Sequence, residues 1–314
     1  QLTALLVDPC RPLVGAAANG NPGAPSDRIA QFDYVEQLVG HQLDVFRDYN
    51  SPTQGSMPLD PTEEYFAHRP ITLLDINWKP ALHWLDADGG NPTVNAEIDQ
   101  VAVSIGSLAP TKIFLTLGHE PQNDVSGGTS CPTRLGADGG TPDQYRAMWA
   151  NVESRFRADG VTNVVWVMDY LAMSDGQWDC LVQPVWPGNS LVDWVIYDTY
   201  SRGPQDTWAS TVGRFYNFLT AETTPTTDFA SKPFGLGEFG ACWTSPDTGS
   251  ASFYQQGAAA VSANAYPNLK MYLVFNEPWA PNVGLGCLTN YDSAGQPDPA
   301  KQAAFNQLVD AIIR

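Results

Sequence analysis

Eight short apolar runs, separated by amphipathic or turn-forming stretches, recur along the 314 residues. They are RPLVGAA near 13, LDVFRDY near 45, ITLLDIN near 73, KIFLTLG near 115, NVVWVMD near 166, VDWVIYD near 195, KPFGLGE near 235 and KMYLVFN near 273. Runs of this length, rich in Val, Ile and aromatic residues, read as buried strands. Their centres lie about 28 to 51 residues apart, enough for a strand, a helix and two loops. Between them the apolar spacing predicts helices over SDRIAQFDYVEQLVG, TVNAEIDQVAVSIGSL, TPDQYRAMWANVESRFRADG, DTWASTVGRFYNFLT and, at the end, DPAKQAAFNQLVDAIIR. Several open on Ser, Thr or Asp, whose side chains accept from the free N–H groups of a first turn. The first and third close on Gly, which takes the left-handed conformation of a helix end.

Strands alternating with helices pair in parallel through right-handed crossovers, so the architecture is a closed barrel or an open doubly wound sheet. No glycine-rich phosphate loop opens the first helix. Eight units close a barrel of about 250 residues, and loop insertions account for the rest. The expectation is an α/β fold, a single (β/α)8 barrel domain over 1–314, with its chemistry on the loops at the C-terminal ends of the strands.

A formal net charge of −18 sets aside nucleic acid and anionic membrane surfaces as partners, because both would be repelled. A neutral substrate and a monomer are expected. No apolar run reaches the roughly 18 residues of a membrane span, and no charged-then-apolar leader precedes Gln1, which suggests a mature, processed start; disulfides would place the chain outside the reducing cytosol, so a secreted protein is expected. Cysteines 10, 131, 180, 242 and 287 lie far apart without zinc spacing, which favours disulfides over a metal cluster and leaves one thiol unpaired. His41, His68 and His83 form no metal set, and Asp86 and Asp88 in DADGG lack the distal Glu of a calcium loop. No cofactor is expected.

Four runs finish on polar or acidic residues: LDIN (Asp75, Asn77), LTLGHE (His119, Glu120), GLGEFG (Glu238) and VFNEPW (Asn276, Glu277). A carboxylate directly after an apolar strand is costly to bury unless it is paired or hydrogen-bonded, so each is a candidate site. The bland alternative is a turn cap or a rim ion pair. Chain length then discriminates among the glutamates. About 118 residues separate Glu120 from Glu238, three strand–helix units, and about 39 separate Glu238 from Glu277, one unit. Glu120 and Glu238 therefore belong to strands four and seven, and Glu277 to strand eight.

These residues resemble a known family. HEP at 119–121, VDWVIYDTY at 192–200 and KPFGLGEFG at 232–240 are similar to the glycoside hydrolases of clan A, and among them to family 26, populated by β-mannanases with some β-1,3-xylanases and mixed-linkage glucanases. YRAMWANVESRFRADGVTNVVWV at 145–167 looks like that family's fourth helix and fifth strand, and LVGAA with FDYVEQLVGHQLDVFRDY like its first unit. The resemblance implies Glu120 as general acid/base and Glu238 as nucleophile, with His119 beside the scissile bond. It also implies Tyr200 as a hydrogen-bond donor to the nucleophile and Trp279 as a sugar platform. After His-Glu the family usually continues Met-Asn-Gly and an aromatic, whereas this chain has PQND.

Acetal cleavage by two carboxyl groups needs one held protonated and one ionised, about 5–5.5 Å apart in the retaining geometry. Trp78, Trp84, Trp178, Trp186, Trp243 and Trp279 fall at or after strand ends, where rings stack on sugars, while Trp149, Trp166 and Trp194 fall inside strand or helix patterns. Trp78 and Trp243, with Asn77 and Asn276, complete the expected substrate-binding set. Loops after neighbouring strands are neighbours on a barrel rim, so Cys131 is expected to pair with Cys180 and Cys242 with Cys287, leaving Cys10 free. The leading expectation is a retaining endo-glycosidase on β-1,4-mannan. The alternatives are the same chemistry on xylan, mixed-linkage β-glucan or arabinan, and a non-catalytic carbohydrate-binding barrel.

Overall fold

In a computed structural model, residues 11–50, 59–173, 175–242, 249–278 and 287–314 are described. The strands are β1 (Leu13–Ala18), β2 (Val45–Asn50), β3 (Leu73–Trp78), β4 (Ile113–Leu117), β5 (Val164–Leu171), β6 (Trp194–Ser201), β7 (Phe234–Ala241) and β8 (Leu269–Asn276). They pair in sequence order and close into a parallel barrel, β8 returning to β1. Each of the eight apolar runs forms one strand.

Among the described residues seven α-helices lie between or after the strands: α1 (Arg28–Val39), α2 (Pro61–His68), α3 (Pro92–Ser107), α4 (Pro142–Ala158), α5 (Arg214–Ala221), α6 (Ser250–Ser262) and α7 (Pro299–Ile313). The caps follow the sequence signals. Asp27 accepts from the Ala30 N–H, Thr141 and Gln144 form a reciprocal capping box, and Gly40 and Gly160 take left-handed φ of 73° and 74° after α1 and α4.

Three features depart from the pattern. Between β5 and β6 a 3-10 turn at Asp179–Leu181 stands in place of an α-helix, since Gly176, Pro184, Pro187 and Gly188 leave no uninterrupted helical run. The helix expected from Asp206 begins as a π-turn, Ala209–Gly213, and becomes α only at Arg214. Helices α2 and α6 are not among those the apolar spacing predicts: one is two turns long, and Ala, Ser and Gly fill much of the other.

By contact the chain forms two compact units, one of Asp48–Tyr197 with Glu222–Lys232, the other of the described residues up to Arg47 with Asp198–Ala221 and Pro233–Arg314. In the first, β3, β4 and β5 run in register, Leu74 opposite Ile113 and Leu115 opposite Trp166. Fully buried Trp149 and Trp194 pack there on Trp166 and Phe114, so these rings belong to the core, as does half-buried Trp166 against Phe156. Each such ring contributes roughly 1.5–3 kcal/mol by leaving water.

In the second unit β1 pairs along its whole length with β8, from Leu13–Met271 to Ala18–Asn276. Gly15 lets β1 and β2 approach, because a Cβ there would lie 2.2 Å from the Val45 carbonyl oxygen. Between β7 and β8 the register slips: Leu236 faces Tyr272 but Phe239 faces Val274. That extra residue is a β-bulge, a device that bends a strand and re-aims a side chain, and it falls at Gly237–Glu238.

Candidate active site

Glu238 lies inside β7, three residues before its end, at the bulge, and is 6% exposed. The Tyr200 hydroxyl, from β6, donates to Glu238 Oε2. From β2, Arg47 brings Nη2 to 3.9 Å from Glu238 Oε1 and 3.7 Å from Asp198 Oδ2, and the side chains of Arg47 and Asp198 are wholly buried. One buried cation between two carboxylates, with a phenol donor on one of them, favours the ionised form of both acids. Tyr200 is itself held on two sides. Its ring meets Phe275 edge-on at 6.0 Å, and it packs in one buried cluster with Cys242 and Cys287, which are joined as a disulfide.

Glu120 occupies a different setting in the first unit. The chain leaves β4 through Gly118 (φ 71°), whose N–H donates to the Trp78 carbonyl, and then places Glu120 itself at φ 46°, ψ 59°. A left-handed conformation is strained for a residue with a side chain and collects at functional sites. It opens the 3-10 turn Pro121–Asn123, from which the Asn123 amide donates back to Glu120 Oε2. His119 lies edge-on to Tyr49 at 5.5 Å, with Nε2 3.9 Å from buried Asp169 of β5. Lys79, after β3, pairs with Asp124 at the end of the turn. Glu277, half-buried, directly follows β8.

The remaining expected binding residues divide. Asn77 is buried and donates to the Asp48 carbonyl at 3.4 Å. Asn276 is fully buried and its Oδ1 accepts from both the N–H and the hydroxyl of Thr289, so it fastens the segment after β8. Trp78 does not offer a ring face to a sugar: it is 5% exposed and turns onto Phe156 of α4, because successive strand residues point to opposite sides and Asn77 takes the other. Trp84 and Trp186 are likewise buried, against Tyr145 and Phe229. Trp243, Trp279 and Cys10 lie outside the described residues.

Arg47, Asp169 and Asp198 escaped the sequence reading. Their signal was a charge inside an apolar strand, VFRDY, VVWVMD and WVIYD, which a lone run does not distinguish from a rim residue. Both expected disulfides are present, Cys131–Cys180 and Cys242–Cys287. No helix among the described residues is long and apolar enough to cross a membrane.

Comparison with known proteins agrees with the barrel fold. A catalytic domain of an endo-β-1,4-mannanase from Bacillus sp. JAMB-750 superposes with a TM-score of 0.66 at 17% identity, over 98% of this chain and 88% of that one. A β-mannanase from Bacteroides ovatus gives 0.62 at 18% identity, over 98% and 90%. At these identities the likeness speaks for the fold. In sequence, the chain is 25% identical over 178 residues to Endoglucanase H of Acetivibrio thermocellus, a match spanning 56% of this chain and 19% of that protein's length. Residues 54–251, more than half of the chain, match the profile of glycosyl hydrolase family 26, and the chain belongs to that family and with it to the glycoside hydrolases.

Proposed function

We propose that the chain is a retaining, endo-acting β-mannanase in which Glu238 is the nucleophile and Glu120 the general acid/base. The observation that carries the reading is the setting of Glu238: a buried carboxylate on a strand bulge, with the Tyr200 hydroxyl on one oxygen and the Arg47 guanidinium near the other. Such a group stays ionised and aimed, as attack on an anomeric carbon requires. Glu120, held at its own turn, protonates the leaving oxygen. After the glycosyl-enzyme forms, the same carboxylate takes a proton from water, which releases the sugar with its configuration retained. His119 lies next to the acid in sequence and binds beside the scissile bond, with Asn77, Trp243 and Trp279 contributing to the substrate surface.

Mannan is favoured because solved family members of the same fold are β-mannanases. A second polymer, β-glucan, is favoured by the relative named an endoglucanase. The two disulfides fit a chain that works outside the reducing cytosol, and we read it as secreted and monomeric. Reducing-sugar release from mannan, xylans, β-glucans and arabinans, with Glu120→Ala and Glu238→Ala beside the parent, tests the substrate and the two glutamates. Mannan cleavage lost in both variants is the expected result, with retained anomeric configuration by NMR. Unchanged activity in either variant, or a carboxyl separation of about 8 Å or more in a crystal structure, would refute the two-glutamate mechanism.

A further inference from the structure

Immediately after Glu120 the chain runs Pro121-Gln122-Asn123-Asp124, and two of these side chains turn back on the acid's own support. Gln122 is fully buried, and its amide makes two hydrogen bonds to one residue of β5: Nε2 donates to the Leu171 carbonyl at 3.2 Å, and Oε1 accepts from the Leu171 N–H at 3.0 Å. A side-chain amide used this way adds a peptide-like rung to the end of β5 and fastens the turn to the barrel wall. The turn closes on itself as well, since the N–H of Asn123 donates to the Glu120 carbonyl at 2.9 Å and the N–H of Asp124 to that of Pro121 at 3.0 Å. Against this anchored frame Glu120 is kept at positive φ, and the Asn123 amide reaches its Oε2. A residue with a side chain persists in that conformation only where its surroundings over-determine it.

We propose that Gln122 and Asn123 are positioning residues for the acid/base: Gln122 locks the Pro121–Asn123 turn to β5, and Asn123 fixes the Glu120 carboxyl in one orientation from within that turn. The assignment rests on the role of Glu120 given above and adds how this chain controls it. An amide N–H donor favours the ionised carboxylate, so Asn123 eases release of the proton to the leaving group and stabilises Glu120 as the base of the second step. The other titratable groups around the turn in this unit are His119 with Asp169, and Lys79 paired with Asp124. The variants below leave all four unchanged.

The test uses aryl β-mannobiosides, one with a dinitrophenyl leaving group that needs no proton and one with an unactivated phenyl group that does. In Asn123→Ala the alkaline limb of kcat/KM, which reports loss of the Glu120 proton, moves up by about one pH unit, and in Asn123→Asp it moves further, because a second negative charge disfavours ionisation. Hydrolysis of the phenyl glycoside falls about tenfold or more in Asn123→Ala, while the dinitrophenyl glycoside falls less than about threefold. Gln122→Leu, of similar volume and without the two hydrogen bonds, shows the same leaving-group bias with a larger loss. An unmoved limb in Asn123→Ala, or equal losses on both glycosides, overturns the proposal. Glu120→Ala run alongside separates the two levels. If it shows the leaving-group bias and Asn123→Ala does not, the positioning role alone fails. If Glu120→Ala shows none, the acid/base assignment fails with it. Thermal unfolding confirms that each variant is folded, and the half-buried Asn123 keeps the test open even where Gln122→Leu does not fold.

Discussion

Tyr200→Phe isolates one hydroxyl. The phenol is 9% exposed and its acceptor, Glu238, 6%, so water cannot easily replace the bond. The Phe ring keeps its edge contact with Phe275 and its packing on the Cys242–Cys287 disulfide. What is lost is a hydrogen bond to a carboxylate, about 1.5–3 kcal/mol. At 1.36 kcal/mol per unit this would raise the Glu238 pKa by about 1–2 units. Arg47 stays 3.9 Å from the other oxygen and continues to favour the charge, so the lower end of that range is expected. The sign follows from the donor's preference for the ionised form: with Glu238 as the proposed nucleophile, removing it moves the acidic limb of kcat/KM to higher pH by about one unit, while the alkaline limb, assigned in the proposal to Glu120, holds still. Rates across pH on a soluble aryl glycoside measure both limbs, and the melting temperature should fall by about 2–5 °C. An acidic limb that stays in place in a folded Tyr200→Phe enzyme would refute the claim that this hydroxyl sustains the charge of Glu238.

Arg47→Met should destabilise the fold by about 3–5 kcal/mol in urea unfolding, because it strands two buried carboxylates, Asp198 and Glu238, without their cation. Glu63 of α2 carries a pH signature. Burial first, then nearby Asp48, raises its pKa from the ordinary 4.5 to about 7, against the hydrogen bonds it accepts from the Asp60 N–H and the Asn50 amide. The folded state therefore holds this proton more tightly than the unfolded chain. The stabilisation is complete below about pH 4.5 and is lost as pH rises through about 7, worth about 3 kcal/mol. Glu63→Gln should flatten that part of the stability profile measured by urea titration between those values. Reducing either disulfide opens a loop, of 49 residues for Cys131–Cys180 and 45 for Cys242–Cys287, and the chain-entropy estimate gives about 4 kcal/mol each. Calorimetry with and without dithiothreitol should show the melting temperature drop by about 6 °C per bridge.

The strands were legible because each is a compact apolar run buried on both faces, and a parallel barrel puts nearly every such run in the same environment. Counting units then placed Glu120 after β4 and Glu238 in β7, and neighbouring loops gave both cysteine pairs. What could not be read depends on details below that count. The register shift beside Glu238 arises from how β7 and β8 slide past each other, a property of the pair and not of either strand. Arg47 and Asp198 come from β2 and β6 and find each other only in three dimensions. Trp78 follows an inward Asn77 by one position, which sends its ring into the helix layer, and the sequence marks its place at a strand end but not that turn. The left-handed backbone of Glu120 has no composition signal at all, since nothing about Glu before Pro announces it.

The bridge between Cys242 and Cys287 is more than a staple. Because it packs in one buried cluster with Tyr200, its loss should loosen the tyrosine that donates to Glu238, the proposed nucleophile. A preparation folded without an oxidant would close the same barrel yet leave that tyrosine standing on two separate thiols. Turnover per mole should then track the fraction of molecules whose thiols have been consumed, which makes thiol titration a gauge of specific activity as well as of purity.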